Sequence, residues 1–97
     1  MERRKAENKE LYAKWRVLVY RRDGFTCQKC GVGTQLEAHH IHNFAEYPKL
    51  RYDVQNGITL CIKHHAEFHH LYGNEKNDEY QIEKYIGKKL VKMDKLF

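Results

Sequence analysis

Two sets of metal-binding side chains are interleaved in the middle of the chain, and the first consists of Cys27-x-x-Cys30 and Cys61-x-x-His64. A cysteine knuckle followed by a pair one helical turn apart is typical of a four-ligand structural zinc site. A redox-active Cys-x-x-Cys would need a thioredoxin-like βαβ context, which the sequence around Cys27 lacks. Because this set uses all three cysteines and no signal-peptide pattern is present, we predict zinc in a reducing compartment rather than a disulfide.

A structural zinc also matters for the stability of a chain this short. A chain of 97 residues buries only about 60 to 65% of its unfolded surface, so its apolar core is marginal. Bound zinc contributes on the order of 10 kcal/mol to the folding of small domains. We therefore expect the core to fail without the metal.

His65 and His69 form the helical part of the second set. On a predicted helix over residues 61–72 they are four residues apart, so they share one face and can reach the same metal ion. Cys61 and His64 share a neighbouring face of that helix. If the helix began one residue later, His64 and His65 would exchange roles. The spacing therefore predicts two metal sites on one helix.

The adjacent pair His39 and His40 completes the second set. Both fall in residues 34–42, whose alternation favours a strand, so the two imidazoles are expected to point to opposite sides. Only one of them can join His65 and His69 at the second metal. The other is then free to act as a general base beside that metal.

Taken together, these spacings resemble those of the HNH nuclease family, which carries a ββα-metal motif. The spacing of the second set is similar to that of the colicin nuclease branch, and its members are His39, His40, Asn56, His65 and His69. The zinc-framed layout is similar to that of small HNH proteins encoded by phages. The resemblance covers residues 15–73. The chain departs from the commoner zinc-framed pattern at His64, where that pattern has a fourth cysteine, but imidazole is an accepted zinc ligand.

The resemblance assigns a role to each member of the second set. It implies that His39, His65 and His69 hold a divalent ion, Mg²⁺, Mn²⁺, Ni²⁺ or Zn²⁺, against the scissile phosphate and the leaving 3′ oxygen. Some family members use water in place of the third ligand, here His69. It also implies that His40 deprotonates the attacking water, and that Asn56 orients either the loop carrying the histidines or His40 itself.

The fold expected from these elements is α+β, a small ββα-metal domain with a treble-clef-like zinc site and flanking N- and C-terminal helices. We predict one domain over residues 1–97, with its core at 15–73, an N-terminal basic helix within 1–22 and a C-terminal helix within 76–97. Apolar periodicity places helices at 9–22 and from 78 onward, with Trp15 as a core anchor. The second strand is expected at 58–60, after a long connection over 43–55.

The formal charge of +5 is unevenly distributed along the chain. Residues 1–22 carry +5 and residues 23–75 carry −2, so the metal-binding segment is not itself basic. Phosphate attraction is therefore expected from the second metal and from the flanks, and it should weaken as salt rises. The flanking candidates are Arg3, Arg4, Lys5, Lys14, Arg16, Arg21 and Arg22. Arg21 and Arg22 are the preferred DNA contacts, whereas Lys9 and Lys14 are expected on an ordinary solvated helix face.

The predicted function is a metal-dependent endonuclease that nicks or cuts DNA, with structural zinc and a separate catalytic ion. The resemblance to phage proteins implies a role in genome packaging, with the phage terminase as a partner. The alternatives are a catalytically inactive zinc-dependent DNA-binding module and a free-standing homing or restriction nuclease. No apolar run is long enough to cross a membrane, so a soluble monomer or dimer in the cytoplasm of a bacterial host is expected.

Overall fold

The computed structural model describes residues 8–90, which form three helices and a two-stranded antiparallel sheet. In chain order the elements are α1 (Lys9–Arg22), β1 (Leu36–His40), β2 (Gly57–Cys61), α2 (Ile62–Tyr72) and α3 (Glu79–Ile86). Two short 3-10 turns, Pro48–Leu50 and Val54–Asn56, lie in the long connection between the strands. The predicted α+β class is confirmed, and β1, β2 and α2 follow one another as a ββα unit.

The sheet register places the two adjacent histidines at the end of the strand pair. His39 is paired with Ile58, and His40 is paired with Gly57. Strand β1 is shorter than the predicted 34–42, because the chain leaves the sheet after His40. The backbone N–H of His42 donates to the Asn56 side chain instead of to a strand partner.

Helix α1 covers one face of the sheet, and its contact is exceptionally close. Trp15 and Val19 are buried there with Ala38. A Cβ atom added to Gly57 would lie 2.5 Å from Val19 Cγ2 and 2.7 Å from Trp15 Cζ2. Glycine at position 57 therefore allows the helix to approach the strand. A second cluster packs α2 and α3 against the sheet, and it consists of Cys27, Ile41, Ile58, Leu60, Cys61, Phe68, Ile82 and Tyr85.

The C-terminal helix is shorter than the predicted segment 76–97. It begins after Asp78, whose carboxylate accepts the Gln81 backbone N–H in a capping box. It ends at Ile86, because Gly87 adopts a left-handed conformation with φ of +80°. Leu90 lies beyond the helix but still packs against the core. The remainder of the predicted helix and the start of the N-terminal segment lie outside the described residues.

Candidate active site

The four predicted zinc ligands converge on one point. Their ligand atoms all lie within 4.8 Å of one another. Cys30 Sγ is 3.9 Å from Cys61 Sγ, and Cys61 Sγ is 3.2 Å from His64 Nδ1. Sulfur ligands about 2.3 Å from a tetrahedral zinc ion lie about 3.8 Å apart, so the donor set and its spacing fit zinc.

Local structure places each of these ligands. Cys61 ends β2 and His64 lies in the first turn of α2, so the strand-to-helix junction presents both. The turn that carries Cys27 is tied to β2, because the Gln28 backbone N–H donates to the Thr59 carbonyl at 2.9 Å. Burial opposes ionisation of the Cys27 thiol, but surrounding backbone N–H groups lower its pKa to about 6. A thiolate is the form that binds zinc.

The second cluster contains three histidines from two elements. His39 comes from β1, whereas His65 and His69 come from α2, and their ligand atoms lie within 4.8 Å of one another. His39 is 2% exposed, and its Nε2 atom is buried with no hydrogen-bond partner. Burial first, and then the neighbouring histidines, lower the pKa of His39 well below its ordinary value. A neutral, buried imidazole with a ring nitrogen that makes no hydrogen bond fits a metal ligand.

Hydrogen bonds orient the other two rings of this cluster. His65 Nδ1–H donates to Glu37 Oε1 at 2.5 Å, and His69 Nδ1–H donates to the Gly73 carbonyl at 2.9 Å. In both tautomers the lone pair lies on Nε2, which is the form in which an imidazole ligates a metal ion through that atom. Such outer partners fix ring orientation and raise ligand basicity. The sequence interpretation did not include Glu37, although strand alternation places it on the same side of β1 as His39.

His40 packs on the opposite side of β1, as strand alternation predicts. Its ring stacks on Trp15 with 3.9 Å between ring centroids and an interplanar angle of 10°. Its Nε2–H donates to the Arg51 carbonyl at 3.0 Å, which leaves Nδ1 as the acceptor. Stacking and the hydrogen bond hold the imidazole in one orientation, with Nδ1 as its basic atom.

Asn56 fixes the loop that follows β1. Its side-chain oxygen accepts the His42 backbone N–H at 2.7 Å, and its side-chain nitrogen donates to the carbonyls of His42 and Leu50. Its own carbonyl accepts the Ile41 backbone N–H at 2.9 Å. Asn56 is 5% exposed. These hydrogen bonds hold the loop after β1 in place, and the predicted role of Asn56 in orienting that loop stays a prediction.

The three clustered histidines and His40 open onto one cleft of about 620 Å³ between α1, β1 and α2. The side of the cleft formed by α1 contributes Tyr12, Arg16 and Tyr20. The cleft is therefore lined both by the three-imidazole cluster and by the imidazole of His40, which Trp15 and the Arg51 carbonyl hold in one orientation. A divalent ion held by the three imidazoles would polarise a bound ester, and a neutral imidazole beside it would be able to accept a proton from water.

The structure does not favour Arg22 as a DNA contact, because its side chain is buried. Its side chain is 4% exposed and forms a buried ion pair with Asp23 at 2.8 Å. Two further N–H groups of its guanidinium donate to the carbonyls of Val54 and Gly57. Arg21 is exposed and stays a candidate DNA contact. The predicted contacts Arg3, Arg4 and Lys5 lie outside the described residues.

The match to known proteins falls on the segment that carries both clusters. Residues 27–72 match the family model described as HNH endonuclease. No curated protein and no solved structure gives a significant match. Among residues 8–90, the structure contains no helix with the length and apolar character needed to span a membrane.

Proposed function

Through residues 27–72 this chain belongs to the HNH endonuclease family, and on that premise we propose that it is a metal-dependent endonuclease hydrolysing DNA phosphodiester bonds. The observation that carries the proposal is the cleft, which is lined by His40 and by three imidazoles whose ligand atoms lie within 4.8 Å of one another. A purely structural zinc module would need Cys27, Cys30, Cys61 and His64 alone. It would have no use for a second histidine cluster supported by Glu37.

His39, His65 and His69 would hold the catalytic divalent ion, which supplies Lewis-acid stabilisation of the charge that develops on the phosphate. Burial keeps His39 neutral, and the bonds to Glu37 and Gly73 hold the other two rings in the tautomer that ligates through Nε2. Three imidazoles favour a softer ion by affinity, although Mg²⁺ and Mn²⁺ are often more abundant. The candidate ions on these two grounds are Mg²⁺, Mn²⁺, Ni²⁺ and Zn²⁺.

His40 would act as the general base. Its Nδ1 accepts a proton from water, the water oxygen forms the new bond to phosphorus, and the bond from phosphorus to the 3′ oxygen breaks. The leaving 3′ oxygen takes its proton from solvent. As the imidazolium forms, the Arg51 carbonyl stabilises its Nε2–H. Trp15 keeps the ring from rotating away during transfer.

For the biological role, we propose nicking or cutting during phage genome packaging, with the terminase as partner, in the cytoplasm of a bacterial host. The resemblance of the zinc-framed layout to small phage-encoded HNH proteins supports this role. The enzyme would act as a monomer or as a dimer that cuts both strands. Contacts from residues 8–90 to the DNA backbone should dominate over contacts to the bases, so sequence preference should be weak.

Conversion of supercoiled plasmid to nicked and linear forms tests the proposal. The zinc-loaded protein is assayed with each divalent ion, beside His40→Ala and the matched control His70→Ala, which alters an exposed histidine of α2. We expect parent and control to cut equally and His40→Ala to cut about 10² to 10⁴ times more slowly. Unchanged cutting by His40→Ala would refute its role as base. Failure of the folded parent to cut with any ion would favour a DNA-binding module instead.

A further inference from the structure

The cleft contains one strongly basic side chain from α1. Of the described residues that line it, Arg16 is the only lysine or arginine, and Glu37 is the only carboxylate. The surrounding segment 23–75 has a formal charge of −2. Attraction of a polyanion into the cleft therefore depends on a cation supplied by α1 as well as on any bound metal ion.

Two tyrosines hold the Arg16 guanidinium in place. Its Cζ atom lies 5.9 Å from the ring centroid of Tyr12 and 5.7 Å from that of Tyr20, one turn of helix to either side. The Tyr20 hydroxyl donates to the Leu36 carbonyl at 3.3 Å, which anchors its ring against β1. Tyr12 stacks on the buried Trp15 with 5.8 Å between ring centroids. The two ring contacts thus favour a position of the guanidinium between the two tyrosines.

The donors of Arg16 are not used within the described part of the chain. Its contacts there are the two tyrosine rings, with no hydrogen bond or ion pair to a side chain or carbonyl. Arg22, at the end of the same helix, is the opposite case, because its guanidinium donates hydrogen bonds to Asp23 and to two carbonyls. Ring contacts leave the in-plane N–H groups of Arg16 available, and that fork matches two phosphate oxygens.

We propose that Arg16, held between Tyr12 and Tyr20, binds a backbone phosphate of the DNA strand that enters the cleft. This inference rests on the proposed function, because it assumes that the cleft receives DNA. Arg16 positions the strand against the histidine cluster and His40 by a contact that carries no sequence information. In this proposal Arg16, six positions earlier on α1, makes the DNA contact that was predicted for Arg22.

Binding of a short labelled duplex, followed by fluorescence anisotropy without a catalytic ion, tests the proposal. The variants are Arg16→Ala, Arg16→Lys and the matched control Lys14→Ala, which removes the same charge from an exposed position of α1 outside the cleft. We expect Arg16→Ala to weaken binding about tenfold and to lower the slope of log affinity against log salt by about one. Lys14→Ala should bind within about twofold of the parent. Arg16→Lys should retain the salt slope but recover only part of the affinity, because it lacks the fork.

The outcomes separate this proposal from the proposed function. If the parent binds DNA but none of the divalent ions allows it to cut, the nuclease proposal fails. The binding comparison still tests Arg16 in that case. If the parent cuts DNA and Arg16→Ala binds as well as Lys14→Ala, only the Arg16 proposal is overturned. A parent that binds no duplex at any salt overturns the Arg16 proposal, and it overturns the nuclease proposal as well if it also cuts no DNA with any ion. Thermal unfolding of each variant in saturating zinc identifies losses of binding that come from misfolding.

Discussion

Replacing Arg22 with alanine should destabilise the fold, which is a different result from the one expected of a surface DNA contact. The substitution removes the partner of Asp23 from a pair whose side chains are 4% and 3% exposed. Asp23 keeps one other described hydrogen bond to its carboxylate, from the Thr59 backbone N–H at 2.9 Å. The carbonyls of Val54 and Gly57 also lose their guanidinium donors. The buried carboxylate thus loses its charged partner, and each of the two carbonyls loses one hydrogen-bond donor.

The magnitude follows from this burial. Removing one partner of a buried ion pair costs about 3 to 5 kcal/mol, because the remaining charge is neither solvated nor neutralised. Solvent screening provides little relief at these exposures. The free energy of unfolding of a small domain is about 5 to 15 kcal/mol, so the loss is a large fraction of it. With a shift of about 4 to 8 °C per kcal/mol, Tm should fall by at least about 12 °C.

Thermal unfolding followed by circular dichroism in saturating zinc measures this effect. Arg21→Ala is the matched control, because it removes the same side chain from the neighbouring exposed position and should change stability by no more than about 0.5 kcal/mol. The double variant Arg22→Ala with Asp23→Asn should unfold at a higher temperature than Arg22→Ala, since the unpaired charge is gone. Equal Tm values for Arg22→Ala and Arg21→Ala would refute the reasoning.

Three further predictions concern packing and the two metal sites. Gly57→Ala should lower the free energy of unfolding by about 1 to 3 kcal/mol through overpacking against Val19 and Trp15. Val19→Ala in the same chain should recover part of this loss in urea titrations. No recovery would contradict the steric cause. Glu37→Gln should weaken binding of the second ion about 10- to 100-fold. Titration of Mn²⁺ or Ni²⁺ into the zinc-loaded protein measures this affinity. An unchanged binding isotherm would show that Glu37 does not support His65. Removal of zinc with a strong chelator should abolish the helical circular dichroism signal, whereas a cooperative thermal transition in the metal-free chain would show that the core folds alone.

Elements defined by local spacing were predicted well. Helix α1 occupies residues 9–22 as its apolar periodicity indicated, and α2 covers the predicted segment apart from its first residue. Knuckle spacing at Cys27 and Cys30, and a one-turn spacing at Cys61 and His64, are enough to group four ligands. The end of α3 was misplaced, because periodicity continued to Leu90 and the left-handed conformation of Gly87 outweighed it.

Contacts between distant segments were not predictable from the pattern. Arginines 21 and 22 are adjacent and chemically identical, yet one is exposed and the other is buried against Asp23. Which one faces the core depends on the angle at which α1 crosses the sheet, and Gly57 sets how closely it approaches. The stacking of His40 on Trp15 depends on the same crossing.

The sequence by itself determined the ligand types, their grouping into two clusters and the ββα order, because these follow from helical and strand periods that act over a few residues. Only the tertiary structure decided that Glu37 bonds to His65, that Arg22 is buried and that Arg16 faces the cleft. Each of these depends on the packing of α1 and α2 against a sheet formed by residues distant in the chain. That packing determines which of several equivalent polar side chains retains access to a ligand.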